Sequence, residues 1–210
     1  MSKVLYIRGS PRGERSHSVT VADAFAEAYK TFHPNDTVST LDLFRTNLPP
    51  FDGLTLQAKY TILHGKQHTP EELQAWKAVE AAIAEFKSAD KYVFAVPMWN
   101  FGIPYRLKHY LDVIVQPGYT FSYSPTEGFK GLVTGKPVFI AYARGGEYPE
   151  GTPGEAFDFQ KKYLETILGF MGLSDIRSVV VEPTLLAGPE VGARKTTEAL
   201  AQAKAIAATF

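Results

Sequence analysis

Three short stretches of the chain combine residue types that could hold a flat, phosphorylated ligand. The first, Gly9 to Ser18 (GSPRGERSHS), places the hydroxyls of Ser10, Ser16 and Ser18 beside His17 and runs into a helical pattern. Exposed N–H groups and the dipole at a helix start favour an anion such as phosphate. The second, Pro97-Met98-Trp99-Asn100-Phe101-Gly102-Ile103-Pro104, sets the flat faces of Trp99 and Phe101 around the amide of Asn100. Free backbone N–H groups near Gly102 would add donors for a polar ring edge. The third, Ala143-Arg144-Gly145-Gly146, pairs two glycines, and without a Cβ the backbone can come close to a ligand. Together they specify a phosphate at one end and a planar ring between aromatic and glycine-rich walls. A mononucleotide with a planar head fits that outline.

Each stretch also has a plainer reading. Ser16 can simply cap the helix, the proline-edged turn can pack its own aromatics, and the two glycines can make a tight strand-to-helix turn. Arg12 and Arg15 can steer an anion or stand as solvated charges. The first loop is neither G-x-G-x-x-G nor a Walker A sequence, which argues against a dinucleotide pyrophosphate or a nucleoside triphosphate. His64 and His68, four apart, have a spacing that metal sites use, but no third ligand is evident and no metal is expected. Asp42 could touch a ribose; without the glycine fingerprint it reads as a strand-end cap.

These loops need elements to hold them. Apolar runs at Lys3 to Arg8, Thr37 to Phe44, Tyr92 to Val96, Lys136 to Tyr142 and Ile176 to Val181 read as five strands. Helical spacing predicts helices over 18–32, 69–88, 105–115, 152–171 and 189–209. The second starts on a Thr69-Pro70-Glu71-Glu72 capping box, and the fourth starts on Thr152-Pro153 and stops at Gly172. Tyr119 to Gly131 resembles an aromatic hairpin or flap, and Leu54 to Gln67 is ambiguous. Strands alternating with helices predict a single α/β domain over 1–210, a doubly wound five-stranded parallel sheet with helices on both faces. With right-handed crossovers the natural strand order is 2-1-3-4-5, the flavodoxin-like one, and it brings the loops after strands one, three and four to one edge.

Bulk properties narrow the classes further. A chain of 210 residues buries roughly 70% of its unfolded surface, enough for an ordinary core. Lys and Arg number 22 against 22 Asp and Glu, with no basic run, so nucleic acid and anionic membrane have no electrostatic support. The absence of cysteine excludes disulfides and thiol chemistry. Met1-Ser2-Lys3 enters the first strand at once without a secretory apolar region, and no run approaches the ~20 residues of a membrane span. A cytoplasmic protein is expected.

The ordered set of motifs resembles the FMN-dependent NADH azoreductases, homodimeric flavin enzymes that also act as NADH:quinone oxidoreductases. It is carried by G-S-P-R…S-x-S from Gly9, P-M-W-N-F-G-I-P from Pro97, T-F-x-Y at Thr120, Phe121 and Tyr123, and A-R-G-G from Ala143, and it runs essentially end to end. The resemblance implies that Ser10, Ser16, His17 and Ser18 hold the ribityl phosphate of FMN. Met98, Trp99, Asn100 and Phe101 would lie along the isoalloxazine, and Ala143, Arg144, Gly145 and Gly146 would approach its pyrimidine side. Trp99 stands where the family often has tyrosine, and Ala143 where it often has serine, so position 143 has no side-chain hydroxyl to offer.

The implied reaction is ping-pong: hydride from NADH or NADPH to flavin N5, then two electrons to a quinone or azo compound. The cofactor carries that chemistry, so no catalytic acid or base is required of the chain. Phe121, Tyr123 and Phe129 are candidate lid residues, and Asn100 also faces the substrate. Phe157, Phe159 and the Leu54–Gln67 excursion are candidates for the surface met by a second subunit. The alternatives are a non-enzymatic flavodoxin-type carrier, which is usually strongly acidic, and a flavin-binding regulatory protein.

Overall fold

β3 (Lys91–Pro97) is apolar without interruption because neither of its faces meets water; Tyr92 through Val96 are completely buried. It pairs in parallel with β1 (Lys3–Arg8) on one side and β6 (Val138–Ala143) on the other. β2 (Thr37–Asp42) and β7 (Ile176–Val181) complete a five-stranded parallel sheet of order β2-β1-β3-β6-β7. In order of main-sheet strands this is the expected 2-1-3-4-5. The computed structural model from which this architecture is described covers all residues 1–210.

Two apolar layers sandwich the sheet. On one face α1 (His17–Phe32) and α6 (Pro189–Ala207) pack on Val4, Tyr6, Val93, Phe139 and Val179, with Phe25 stacked on Phe139 at 3.9 Å. The other face is covered by α3 (Pro70–Ser88), α4 (Tyr105–Ile114) and α5 (Lys161–Phe170), with Trp76, Ile83, Phe86, Leu111 and Leu164 in its core. α3 starts with the capping box expected at Thr69 and Glu72. In its first turn Leu73 is exposed, and the apolar face begins at Trp76.

Several expectations are corrected. The ambiguous stretch is a helix, α2 (Gly53–Leu63), started by Asp52, whose carboxylate accepts from the N–H groups of Leu54 and Thr55 at 3.1 Å. The helix expected over 152–171 is split. Pro153–Phe157 forms a 3-10 turn, and α5 begins only at Lys161. Asp158 makes the break, because one carboxylate oxygen accepts from Lys161 N–H at 2.9 Å while the other is drawn to Arg144 at 2.7 Å. At its far end α5 closes as foreseen. Gly172 has φ +104°, its N–H donates to Gly169 O, and Leu173 N–H donates to Leu168 O, the Schellman pattern.

The aromatic flap is an antiparallel hairpin of β4 (Phe121–Ser124) and β5 (Gly128–Gly131). It is tied to the carboxyl ends of α3, α4 and α5 through Lys87 Nζ to Tyr119 O, Thr120 Oγ1 to Ile114 O, and Val133 N–H to Met171 O. Each of those helices runs antiparallel to the strands. The hairpin therefore stands at the amino-terminal edge of the sheet, opposite the three loops. No helix is long and apolar enough to cross a membrane.

Candidate functional site: a cleft at the carboxyl edge of the sheet

The sheet ends at a cleft of 340 Å³ lined by Arg12, Ser16, His17, Pro97, Met98, Trp99, Ala143, Gly145, Thr184 and Leu185. All three anticipated loops meet there. Met98 N–H donates to Ala143 O at 2.8 Å, which sets the second loop against the third. Gly9 N–H donates to Ala95 O at 2.9 Å and sets the first against both. A Cβ at Gly9 would lie 3.0 Å from that same oxygen.

At the first loop, α1 begins with Thr20 N–H to Ser16 O, which leaves the N–H groups of His17, Ser18 and Val19 without a protein acceptor. Ser16 occupies the N-cap position, yet its hydroxyl makes no cap bond. It lies 3.2 Å from the hydroxyl of Ser18, and both residues are buried. Unbonded helix N–H groups beside two inward hydroxyls make an anion cradle. Ser10 is buried nearby and receives only a long contact of 3.4 Å from Arg12 N–H. His17 Nδ1 meets Thr196 Oγ1 at 2.9 Å, and that hydroxyl donates to Gly192 O. The imidazole is held below its ordinary pKa by burial, with the nearby Arg12 charge adding to the effect.

The second loop is a tight turn. Trp99 and Gly102 exchange backbone hydrogen bonds of 3.0 Å, and the two residues between them have positive φ, 47° at Asn100 and 68° at Phe101. The Gly102 N–H is therefore engaged rather than free; the donors without acceptors are those of Asn100 and Phe101. Neither residue is glycine, so the backbone is strained where it faces the cleft edge. Aromatic rings flank the turn. Trp99 packs near Phe44 and Tyr105 at 5.7 and 6.3 Å, while Phe101 packs near Phe157 and Tyr148 at 5.1 and 6.1 Å.

At the third loop, Gly145 and Gly146 also keep N–H groups without acceptors. Arg144 points elsewhere. Its side chain is 2% exposed and bonds Gln160 Oε1, Asp158 Oδ2 and Glu182 Oε2 at 2.9, 2.7 and 3.3 Å. Its own N–H and carbonyl are taken by Val181 and Thr184. A fourth segment was not anticipated. Thr184 and Leu185 line the cleft because Thr184 N–H bonds Arg144 O and the N–H groups of Leu185 and Leu186 bond Gly145 O. Nothing in their residue types advertises this; backbone groups make most of the contact, with Thr184 Oγ1 adding a bond to Arg144 O at 2.9 Å.

Other candidates fall away from the cleft. His68 Nε2 bonds Ala58 O at 2.8 Å, and His64 stacks near Tyr60. Asp42 acts as the strand-end cap, accepting from Phe44 N–H at 3.0 Å. Phe121, Tyr123 and Phe129 are on the hairpin at the far edge, gathered with Phe170.

Comparisons with known proteins bear on the fold and the family. A family model described as flavodoxin-like fold matches residues 2–207. The FMN-dependent NADH:quinone oxidoreductase of Nitratidesulfovibrio vulgaris is 56% identical over 210 residues, all of both chains. That of Desulfotalea psychrophila is 49% identical over 88% of this chain and 87% of its own. Among solved structures, an azoreductase from Bacillus anthracis superposes with a TM-score of 0.91 at 35% identity, all of both chains covered. An FMN-dependent NADH-azoreductase of that species, solved in complex with FMN, gives 0.86 at 31% identity over 99% of this chain and all of its own. With a flavodoxin-like sheet, a phosphate-type cradle and a strained aromatic turn at one edge, this chain belongs to the family of FMN-dependent NADH:quinone oxidoreductases.

Proposed function

We propose that the chain reduces quinones and azo compounds with electrons from NADH by a ping-pong cycle, on FMN held in the cleft. The observation that carries this reading is the row of unused N–H donors at one sheet edge: His17, Ser18 and Val19 at the α1 start, Asn100 and Phe101 in the turn, Gly145 and Gly146 opposite. When bound, FMN supplies two-electron chemistry, taking hydride from the donor and passing the electrons to the acceptor. The chain's part is to bind and orient. Ser16, Ser18 and the α1 N-terminus hold the phosphate, with Ser10 and His17 beside them. Met98, Trp99 and the strained turn lie along the ring system, and the glycine loop offers N–H donors to its polar edge. Arg144 contributes from behind.

The same reading makes the chain a homodimer. α2 is apolar on its outward side, with Leu56, Tyr60 and Leu63 exposed while Thr55, Ala58 and Thr61 face in. Phe157 and Phe159 are likewise exposed, near the mouth of the cleft. In a dimer the lid residues Phe121 and Tyr123 reach a cleft only across subunits, since each hairpin stands at the edge opposite its own. Light scattering of the eluting protein checks the dimer directly.

The test of function is the visible spectrum of the purified protein, mass analysis of the cofactor released on denaturation, and NADH consumption with a small quinone. Released FMN with steady turnover is the expected result. A protein that is colourless and takes up no added FMN overturns the reading. One that binds FMN without consuming NADH is an electron carrier or regulator.

A further inference from the structure

Arg144 stands in the glycine loop, yet it turns away from the cleft into a buried network that joins four segments. Its Nε donates to Gln160 Oε1 at 2.9 Å, and Gln160 Nε2 donates to Val96 O at 2.9 Å. Gln160 is completely buried, so the amide has no water to fall back on, and Val96 immediately precedes the Pro97 loop. The rest of the guanidinium bonds Asp158 ahead of α5 and Glu182 after β7, and Glu182 also accepts from Tyr148 N–H at 3.1 Å. On the main chain, Thr184 N–H and Oγ1 both donate to Arg144 O, at 2.8 and 2.9 Å.

A planar guanidinium with a fixed fork of donors suits such a hub, because each bond constrains direction as well as distance. The two walls of the cleft are the Pro97–Gly102 turn and Gly145–Gly146. They lie at the end of the β3–β6 ladder, which sets Val96 opposite Tyr142 and Pro97 opposite Ala143 and carries on as Met98 N–H to Ala143 O; outside that ladder, Gln160 joins Val96 O to the Arg144 side chain. Neither Arg144 nor Gln160 need touch a ligand to set the gap between those walls.

We propose that Arg144 and Gln160 are positioning residues that fix the spacing of the two walls around the flavin ring. The proposal rests on the FMN reading above. Groups that hold a binding site from behind act by locking the rotamers and backbone in front of them. The amide of Gln160 is the informative point to cut, since its loss severs the tie to the turn while the Arg144–Asp158 pair remains.

The experiment compares wild type with Gln160→Leu by FMN titration of the apoprotein, the absorption spectrum of bound flavin, and thermal melting of the apoprotein. The expected result is a flavin dissociation constant raised roughly tenfold and a displaced long-wavelength flavin band. Should the leucine variant fail to fold, Gln160→Glu keeps an oxygen for Arg144 and sets a carboxylate oxygen, in place of the donor, against Val96 O, with the same expectation. Wild-type affinity and spectrum in a folded variant, with or without a lower melting temperature, overturn the proposal and make the network purely structural. A wild-type protein that takes up no FMN instead overturns the flavin reading, and the proposal with it.

Discussion

Trp99 and Gly102 face each other across two backbone hydrogen bonds of 3.0 Å, and that pairing is what forces Asn100 and Phe101 to positive φ. Asparagine tolerates this region better than other non-glycine residues because its short amide bonds locally. Turn and amide can therefore be separated by substitution. Asn100→Ala puts a Cβ-bearing residue without that help at φ 47° and is expected to cost about 1 kcal/mol of stability and to weaken FMN binding. Asn100→Gly keeps the turn, leaves stability within about 1 kcal/mol of wild type and still weakens FMN. Melting curves and flavin titrations of the two variants check this; equal FMN affinity in Asn100→Gly would show that the amide makes no contact.

His17 gives a pH dependence whose sign is fixed by its environment. Burial first, and the Arg12 charge second, lower its pKa in the folded chain. Thr196 Oγ1 already donates to Gly192 O, so it accepts from His17 Nδ1–H and leaves Nε2 to take up a proton. As pH falls below the ordinary value of about 6.5, the unfolded chain binds that proton before the folded one does. Stability from this group is complete above that pH and is lost as pH falls through the lowered folded value. His17→Gln should flatten this part of the melting temperature–pH profile. FMN should have a similar effect in wild type, because a phosphate near the ring favours the charged imidazole.

The three loops were legible because their chemistry lies in residue type: serines before a helix, aromatics around an amide, paired glycines. The central strands were legible because Tyr92 to Val96 and Val138 to Ala143 are apolar with no period, as double-sided burial requires. α2 was not, because Leu54, Leu56, Tyr60, Ile62 and Leu63 point outward while two threonines and one alanine face in, so the apolar residues do not mark the side that packs on the core. The split ahead of α5 depends on Asp158 meeting Arg144, fourteen residues away, which no local pattern encodes. The strained turn was hidden for a similar reason. Two left-handed residues in succession usually announce themselves as Asn-Gly, and here they are Asn-Phe. The Thr184–Leu185 wall is joined to the glycine loop mainly by backbone hydrogen bonds, on which side-chain identity is silent.

Two glycines beside α5 should respond in opposite directions. A Cβ at Gly131 would sit 2.3 Å from Gly172 N and 2.4 Å from the Met171 carbonyl carbon, backbone atoms that cannot swing aside. Gly131→Ala is therefore expected to cost about 1–3 kcal/mol, seen as a clear drop in melting temperature. Gly169 lies in the last turn of α5 with open space where its Cβ would be. Gly169→Ala should stabilise by about 0.5–1 kcal/mol, since alanine loses less backbone freedom in a helix. At this chain length each kcal/mol moves the melting temperature by about 2–4 °C, so both effects are measurable. A neutral Gly131→Ala would mean that the hairpin rides loosely on α5.

Arg106 controls the outer aromatic wall from a distance. Its Nε and Nη2 donate to Leu43 O and Thr46 O at 2.7 and 2.6 Å, which pins the loop that presents Phe44 to Trp99. His109 holds the same segment further on through Pro49 O at 2.9 Å. Arg106→Met keeps most of the apolar stem and removes both bonds, and charged hydrogen bonds of this kind contribute about 1.5–3 kcal/mol. Stability should fall by an amount in that range. Under the proposed placement of FMN, Phe44 and Trp99 flank the ring without touching the phosphate, so FMN affinity should stay close to wild type while KM for a bulky aromatic acceptor rises. A variant that loses FMN and acceptor binding in equal measure would place the loop after β2 in the cofactor site itself.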